Sequence, residues 1–327
     1  MKVLVTGAAG FIGSNLCERL LAQGERVVGI DNFDPYYAPE IKRFNLQRIG
    51  QAPEAQHFKF QQLDIRDADK LTELFASERF DAVAHLAALA GVRYSEERAH
   101  LYTEVNVVGT LNMLEAARAQ QLPGPFVFAS TSSVYGASTQ IPFNETEACD
   151  RPLAPYPATK RAGELFGHTY HHLHRLNFTA LRFFTVYGPG NRPDMMAHLL
   201  LDHLLQGKPI RLYNRGEMWR DWTYVDDITA GIAKALATPL GYAVLNIGRG
   251  QPVLLRDFVA RLEQLTGRIA QPEQAPMPGS DMRQTFASID RAQQMIGYEP
   301  LTSIEEGTAA LHQWYMAQRL RAPSIKD

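Results

Sequence analysis

A glycine-rich turn between an apolar strand and a helix is the feature that most limits how this chain can fold. Residues 3–5 form a short apolar run, and residues 11–21 have the pattern of a helix. Between and within them stand Gly7, Gly10 and Gly13. Glycines at these positions allow a tight turn and close packing of the helix on the strand, and the helix N-terminus offers free N–H groups to a phosphate. Such a unit is typical of the start of a dinucleotide-binding sheet.

More strands and helices alternate after this turn. The further apolar runs are residues 27–30, 57–63, 82–84 and 126–128, and the clearest helical patterns between them are residues 67–76 and 102–119. Short continuous apolar strands separated by helices indicate a parallel sheet that is covered on both faces. We therefore predict the α/β class, with a doubly wound parallel sheet of the Rossmann type.

The pattern of the chain changes after about residue 185. Proline and glycine become frequent and the elements become shorter, which indicates a second, smaller α/β domain that receives the substrate. Residues 226–237 and 243–247 again look like a helix and a strand of the main sheet. We therefore expect a discontinuous arrangement. We expect the dinucleotide-binding domain to contain residues 1–185 plus about 226–250. We expect the substrate domain to contain about 186–225 plus 251–320.

Composition excludes several classes of protein. The 327 residues include 33 Lys and Arg against 35 Asp and Glu, and this balance argues against a nucleic acid or an anionic membrane as partner. No apolar run approaches the roughly 20 residues of a membrane helix. Cys17 and Cys149 are the two cysteines, too few for a disulfide scaffold or a zinc site of four thiolates. With an N-terminus that runs straight into a strand, these features predict a cytoplasmic protein.

An acidic residue at the end of the second strand favours one cofactor. Asp31 lies 18 residues beyond Gly13. A carboxylate there accepts hydrogen bonds from the adenosine ribose and repels a 2′-phosphate, so that NAD is favoured over NADP. The alternative is a glycine turn that binds no ligand, which the strand, the helix and Asp31 together disfavour.

A tyrosine and a lysine form the candidate catalytic pair. Tyr156 and Lys160 have the i, i+4 spacing that puts both side chains on one face of a helix. The ammonium group is then expected to lower the pKa of the phenol, which is ordinarily about 10. The hydroxyls of Thr131, Ser132 and Ser133, which follow the fifth strand, are placed to bond the reacting oxygen and pass its proton to Tyr156. The alternative is an exposed pair with no chemical role.

These motifs occur in the order seen in a known family. The chain resembles the short-chain dehydrogenase/reductase family, and over residues 1–316 it resembles the extended, NAD-dependent epimerases and dehydratases of nucleotide sugars. Within these it is most similar to the UDP-glucuronate 4-epimerases. The segments that carry this closer resemblance are residues 31–33, 35–37, 90–95, 181–189, 192–195, 207–210 and 220–228.

The resemblance implies tightly bound NAD and a set of binding residues. The implied cofactor residues are Gly7, Gly10, Phe11, Ile12, Gly13, Asp31, Asn32, Asp64, Ile65, Leu86, Ala87, Ala88, Asn106, Tyr156 and Lys160. For the substrate, the resemblance implies Arg93, with Thr185 at the sugar, Arg192 at its carboxylate and Arg220 at the diphosphate. A guanidinium suits a carboxylate because it can make two parallel hydrogen bonds to it. The alternatives are a surface role for Arg192 and an ion pair of Arg220 with Asp221 or Asp226.

The implied activity is the NAD-dependent C4 epimerisation of UDP-glucuronate through a transient 4-keto sugar. One alternative is decarboxylation of the same substrate, and a second is epimerisation of the neutral UDP-glucose/galactose pair, which would leave Arg192 without a charged group to bind. A third alternative is a non-catalytic, NAD-sensing relative. It is disfavoured because Tyr156 and Lys160 are both present.

A histidine cluster invites a metal-site interpretation that we reject. His168 and His172 have the i, i+4 spacing of metal ligands, but no acidic residue completes a metal motif and the expected reaction needs no metal. We predict no metal and a histidine cluster that faces solvent or a second subunit. The family resemblance implies a homodimer in which helices over residues 102–117 and 165–173 pair as a four-helix bundle.

Overall fold

The alternating strands and helices build one parallel sheet at the centre of the molecule. The computed structural model describes residues 1–276, 279 and 281–321. The strands in this part of the chain are β1 (Lys2–Thr6), β2 (Arg26–Asp31), β3 (Phe58–Gln62), β4 (Ala82–His85), β5 (Phe126–Thr131), β6 (Phe178–Phe183), β7 (Thr185–Tyr187), β8 (Ile210–Tyr213), β9 (Trp219–Arg220), β10 (Trp222–Tyr224), β11 (Tyr242–Ile247), β12 (Val253–Leu254) and β13 (Pro272–Ala275).

The helices lie between these strands. Their bounds are α1 (Phe11–Ala22), α2 (Pro39–Ile49), α3 (Ala68–Glu78), α4 (Val92–Glu96), α5 (Ala99–Thr103), α6 (Gly109–Gln120), α7 (Pro155–His174), α8 (Met196–Gln206), α9 (Val225–Ala237), α10 (Leu255–Thr266), α11 (Asp290–Ile296) and α12 (Ile304–Arg321). In the described ranges, no helix has both the length and the apolar character needed to cross a membrane.

Seven of the described strands form the main sheet in the order β11-β6-β5-β4-β1-β2-β3. All six neighbouring pairs are parallel. The predicted α/β class and parallel sheet are therefore confirmed. The expectation that the chain returns to the main sheet after residue 225 is also confirmed, because β11 pairs with β6 and α9 packs against β4 and β5.

Alternate residues of β1, β2 and β4 point into two separate apolar cores, as the pleat of a strand requires. Leu4 and Val83 belong to the core that α3 and α6 cover. Val3, Val5 and Val27 belong to the core on the other face, which α1 and α9 cover. Helices on both faces explain why these strands are continuous apolar runs rather than half polar.

The later part of the chain adds small sheets and helices to one of these faces. In the described residues, β7 pairs with β10, β8 with β13 and β9 with β12. Leu200 of α8, Phe258 of α10 and Leu311 of α12 share the core of the α1 and α9 face. This shared core fixes the later segments against the main sheet.

The predicted helix over residues 102–119 is interrupted, which corrects the sequence analysis. A π-helical turn over residues 104–108 separates α5 from α6. The turn carries Asn106, whose Nδ2 donates to the carbonyl of Leu89 at 2.9 Å and to Oγ1 of Thr159 at 3.0 Å. Its Oδ1 accepts from the N–H of Leu89 at 2.9 Å. A π turn widens the helix locally and is frequent at functional sites.

Candidate active site

The order of the strands creates a crevice at the carboxyl ends of β1 and β4. The chain builds β1, β2 and β3 in one direction and then returns to place β4 on the other side of β1. The loops after β1 and β4 therefore leave in opposite directions. In doubly wound sheets, ligands bind at such a switch point.

The glycine turn after β1 forms one wall of this crevice. Gly7 has φ +70°, and its carbonyl accepts a hydrogen bond from the N–H of Gly10 at 3.0 Å. A Cβ on Gly13 would lie 2.1 Å from the same carbonyl oxygen, which no side chain permits. The turn can therefore bring the backbone and the N-terminus of α1 close to a phosphate group only with glycine at these positions.

Asp31 ends β2 on the same side and is held by a buried lysine. The carboxylate is 6% exposed, and its Oδ1 accepts from the backbone N–H of Phe33 at 2.8 Å. Nζ of Lys42, on α2, donates to the same oxygen at 3.0 Å, and this lysine is 7% exposed. Sequence analysis did not identify Lys42, because a lysine on an amphipathic helix is ordinarily solvated.

Asn32 and Asp64 form a second polar group beside Asp31. Nδ2 of Asn32 donates to Oδ2 of Asp64 at 2.9 Å. Arg66 donates to both oxygens of Asp64 from its side chain and also from its backbone N–H. These hydrogen bonds lower the pKa of Asp64 to about 2, so that it is an anion at neutral pH.

The segment after β4 lies directly against the glycine turn. The hydroxyl of Thr6 accepts from the backbone N–H groups of Leu86 and Ala87 at 3.1 and 2.9 Å. A Cβ on Gly7 would lie 3.0 Å from the nitrogen of Ala87. His85, which is fully buried, bonds the same hydroxyl at 2.8 Å, and burial lowers its pKa to about 3. The neutral imidazole of His85 thus holds the Thr6 hydroxyl that bonds the segment after β4.

Tyr156 and Lys160 extend from the first turns of α7 into the crevice, on one face as predicted. Burial raises the pKa of Tyr156, while a hydrogen bond with Thr131 and the charge of Arg192 act in the opposite direction. Burial also lowers the pKa of Lys160 to about 7, and its ammonium lies 4.2 Å from the centre of the Phe128 ring. The expected depression of the phenol pKa by Lys160 is therefore not found in the protein alone, where desolvation is the largest influence on Tyr156 and raises its pKa.

The hydroxyl cluster after β5 stands beside the phenol. Oγ1 of Thr131 accepts from the backbone N–H of Ser133 at 3.2 Å and donates to Oγ of Ser133 at 3.2 Å. Residues 132–135 form a short 3₁₀ turn that opens with Ser132. Thr131, Ser132 and Ser133 all line the crevice together with Tyr156. Their hydroxyls can therefore exchange hydrogen bonds with an oxygen placed above the pair.

The later part of the chain contributes a threonine and an arginine. Thr185 opens β7, and both Thr185 and Arg192 line the crevice. Arg192 is not a free surface cation. Its Nε and Nη2 donate to the two carboxylate oxygens of Asp194 at 2.9 and 3.0 Å.

Arg93 and Arg220 lie together, outside the residues that line the crevice. Nη2 of Arg93 donates to Asp281 at 2.6 Å, and Asp281 and Arg93 both act on the pKa of Arg220, which burial lowers. Nη1 of Arg220 donates to the carbonyl of Trp219 at 2.8 Å. Asp221 is fully buried and accepts instead from backbone N–H groups, so the pairing with Arg220 considered above is wrong.

Residues 3–248 match the model of the NAD dependent epimerase/dehydratase family. The chain belongs to this family. It is 40% identical to a UDP-glucuronate 4-epimerase of Thermodesulfobacterium geofontis, over 95% of each chain. The family resemblance drawn from the motifs is therefore confirmed.

Solved structures of the family have the same fold. One is a UDP-glucuronic acid 4-epimerase from Bacillus cereus in complex with UDP-glucuronic acid and NAD, with a TM-score of 0.89, 36% identity, and coverage of 97% of this chain and 100% of that chain. A UDP-glucose 4-epimerase from Thermotoga maritima with UDP-glucose has a TM-score of 0.88 at 28% identity, covering 98% of this chain and 100% of that chain. The fold alone thus does not separate acidic from neutral sugars.

The epimerase/dehydratase crevice of this chain has a volume of about 400 Å³. The predicted site residues that line it are Gly7, Gly10, Phe11, Ile12, Gly13, Asp31, Asn32, Ile65, Leu86, Ala87, Ala88, Thr131, Ser132, Ser133, Tyr156, Lys160, Thr185 and Arg192. The predicted residues that do not line it are Asp64, in the adjacent groove, and Asn106, Arg93 and Arg220. The side-chain amide of Asn106 bonds the backbone of Leu89 and the hydroxyl of Thr159 and so holds these segments together.

Sequence analysis did not identify several residues that line the crevice of this family member. Lys42, Tyr36, Tyr37 and Met195 face the crevice, although sequence analysis assigned them no role. The available signal was the family resemblance, because Tyr36, Tyr37 and Met195 lie in segments that carry it. Lys42 gives no local signal, because only the fold shows that α2 turns it towards Asp31.

The histidine cluster lies on the outside of α7. His168 and His172 are exposed, and the His168 ring packs edge-on against Tyr242 at 5.0 Å between centroids. Over the described ranges, no group of three His, Cys, Asp or Glu side chains is placed to hold a metal ion.

We expect Lys42→Met to weaken NAD binding about tenfold, because it removes the charged partner of the buried Asp31 and leaves this carboxylate held by the N–H of Phe33. Titration calorimetry with NAD measures this. The matched control is Lys59→Met, which removes a lysine that is mostly exposed and lines neither the crevice nor the adjacent groove. Equal affinities for the wild type and for Lys42→Met would show that Asp31 needs no such support.

Proposed function

We propose that this chain converts UDP-glucuronate into UDP-galacturonate at C4, with NAD that stays bound and ends each cycle oxidised. The observation that carries the proposal is that Tyr156, Thr131 and Arg192 share one crevice with the glycine turn. The charge of Arg192 acts on the phenol, so a carboxylate-binding group lies near the candidate base. The relatives that act on or bind UDP-glucuronate support the same substrate.

Tyr156 is the general base of the proposed reaction. As a phenolate it takes the proton of the 4-hydroxyl of the sugar, directly or through the hydroxyl of Thr131. NAD, when bound, accepts the hydride from C4 and later returns it. The residues that would hold NAD fit it, because the glycine turn approaches a pyrophosphate and Asp31 stands where the ribose is expected.

Epimerisation requires the keto sugar to present its other face. The 4-keto sugar turns about its diphosphate link, C4 receives the hydride from the opposite side, and Tyr156 returns the proton. A 4-keto uronate is a β-keto acid and can lose carbon dioxide if its carboxylate bond aligns with the carbonyl π system. Arg192, Thr185, Ser132 and Ser133 are proposed to hold the carboxylate away from that alignment.

The rival functions differ in product. Decarboxylation would give a 4-ketopentose or pentose nucleotide, and the neutral-sugar epimerase would interconvert UDP-glucose and UDP-galactose. An NAD-sensing module would turn over no UDP-sugar. Arg192 at the crevice disfavours the neutral sugar, and the lining positions of Tyr156 and Lys160 disfavour the sensor.

Incubation with UDP-glucuronate and NAD should give UDP-galacturonate, with products resolved by NMR. In Tyr156→Phe we expect turnover to fall at least about 100-fold while NAD binding stays near that of the wild type, because only the proton transfer is lost. A wild type that forms only pentose products, or that acts only on neutral sugars, would replace the proposed function. Substantial turnover by Tyr156→Phe would exclude Tyr156 as the base.

For Arg192→Lys we expect turnover of UDP-glucuronate to fall by about tenfold or more, and any activity on UDP-glucose to be largely retained. Lysine keeps the charge but cannot make two parallel hydrogen bonds to a carboxylate. Steady-state kinetics with both sugars measure the difference. Equal losses on the two sugars would contradict a carboxylate site at Arg192.

The proposal includes the expected domains, compartment and assembly. Residues about 186–225 and 251–320 would receive the sugar nucleotide, the remainder would bind NAD, and the free, buried Cys17 and Cys149 suit the reducing cytoplasm. The second subunit would pack against α7, where Leu165 and Leu173 are 54% and 63% exposed. Val108, close by in the π turn, is 46% exposed.

A double variant, Leu165→Glu with Leu173→Glu, is expected to convert the proposed dimer into a monomer, because it places charges in an apolar helix contact. Size-exclusion chromatography with light scattering measures the mass. Ile269→Glu is the control, since Ile269 is 87% exposed and lies away from α7. A wild type that is monomeric at micromolar concentration would contradict the proposed assembly.

A further inference from the structure

Arg192 offers the crevice only part of its hydrogen-bonding capacity. A guanidinium has two edges that fit a carboxylate, one made by Nε and Nη2 and the other by Nη1 and Nη2. Asp194 takes the first edge with both of its oxygens, at 2.9 and 3.0 Å. Among the residues that the structure describes, Asp194 is the only side-chain partner of Arg192 by hydrogen bond. The second edge is thus the one left for a carboxylate in the crevice.

Asp194 is itself held from the other domain. The hydroxyl of Tyr36, in the loop after β2, donates to Oδ2 of Asp194 at 3.0 Å. Burial and then the Asp194 carboxylate raise the pKa of Tyr36 to about 12, so the hydroxyl keeps its proton and remains a donor. The Tyr36 ring lies 5.7 Å from the guanidinium carbon of Arg192 and packs against Tyr94 at 4.7 Å. The three side chains of Arg192, Asp194 and Tyr36 therefore fix one another, and we call them the arginine triad.

We infer that Asp194 is a positioning residue that sets the plane of Arg192 and thereby the choice between epimerisation and decarboxylation of the 4-keto uronate. This inference rests on the proposed function. Tyr36 acts through Asp194, and Asp194 acts through Arg192. Both carboxylate oxygens of Asp194 accept from the Nε and Nη2 edge of Arg192. This fixes the orientation of the guanidinium, so that its second edge presents two donors in a set direction.

The charge of Asp194 affects both how strongly Arg192 attracts a carboxylate and how it is oriented. Paired with Asp194, Arg192 attracts a sugar carboxylate less strongly than an unpaired guanidinium would, so its value to the substrate lies in geometry as well as in attraction. Removing the negative charge of Asp194 would strengthen the attraction for a sugar carboxylate. It would also let the guanidinium turn. Binding and fidelity are therefore expected to change in opposite directions.

The side reaction balances without an added reagent. In the 4-keto uronate, the bond between C5 and the carboxylate breaks, its electron pair enters the carbonyl π system as an enolate, and carbon dioxide leaves. C5 then takes a proton from solvent, which gives a UDP-4-ketopentose. The hydride removed from C4 stays on the cofactor unless it is returned to this product. Each decarboxylation in which the hydride is not returned to the product therefore leaves one molecule of reduced cofactor.

Asp194→Asn is the decisive variant, because the amide keeps the shape of the side chain and one acceptor oxygen. With UDP-glucuronate and NAD, we expect the decarboxylated share of the product to rise about tenfold, as the loss of a charged hydrogen-bond partner allows. The KM for UDP-glucuronate should stay unchanged or fall by up to about fivefold, while kcat for epimerisation falls. NMR of the products and the absorbance of reduced cofactor give the share. A purely structural role would instead raise KM and lower both products together.

Three further variants make the test independent of folding. Tyr36→Phe should raise the decarboxylated share less than Asp194→Asn, and adding it to Asp194→Asn should have little further effect, because Tyr36 acts through Asp194. Glu40→Gln removes one charge from an exposed position on α2 and should leave the product ratio unchanged.

The outcomes separate this inference from the proposed function. A wild type that does not epimerise UDP-glucuronate removes the proposed function itself. A wild type that epimerises, together with an Asp194→Asn protein that has the wild-type product ratio, overturns the role of Asp194 alone. A raised KM with an unchanged ratio has the same consequence, since it assigns Asp194 to loop structure only.

Discussion

Glu164 accepts hydrogen bonds from Arg182 at 2.9 and 2.8 Å and from Ser130 at 2.6 Å, in the middle of α7. The side chains of Glu164 and Arg182 are 0% and 1% exposed, and removing one partner of such a buried pair costs about 3–5 kcal/mol. This contact joins the helix that carries Tyr156 to β5 and β6. Since Ser130 immediately precedes Thr131, the same contact sets where the phenol stands relative to the hydroxyl cluster. The geometry of the candidate site thus depends on a pair of charges that never reaches the crevice.

Sequence analysis predicted those parts of the site that depend on the spacing of residues close together in the sequence. The glycine turn follows from the close approach of Gly13 to the carbonyl of Gly7 and from the positive φ of Gly7. Tyr156 and Lys160 share a face because of helix periodicity alone. Asp31 follows from the end of a strand whose neighbours are parallel, so its carboxyl end faces the switch point. Each of these depends on a single element and its immediate continuation.

The parts that were missed depend on contacts between segments distant in sequence. Asp194 meets Tyr36 across 158 positions of the chain, and the free edge of Arg192 is defined only by that meeting. The π turn at Asn106 arises from bonds to Leu89 and to a residue of α7, and no periodicity of the helix itself predicts it. The same limit explains Arg220. Its charge alone suggested an acidic neighbour in sequence, whereas its position beside Arg93 follows from the packing of separate loops.

The electrostatics of Tyr156 tie the proton transfer to the state of the cofactor. Burial raises the pKa of the phenol, and burial also lowers the pKa of Lys160, to about 7. Arg192 acts on the phenol as well, but a sugar carboxylate bound to it would cancel much of that effect. In the proposed reaction, the remaining positive charge is that of the oxidised nicotinamide. Tyr156 therefore releases its proton more readily beside an oxidised ring and holds it more firmly beside a reduced one, so proton and hydride leave together and return together. This symmetry is what a reversible inversion at one carbon requires.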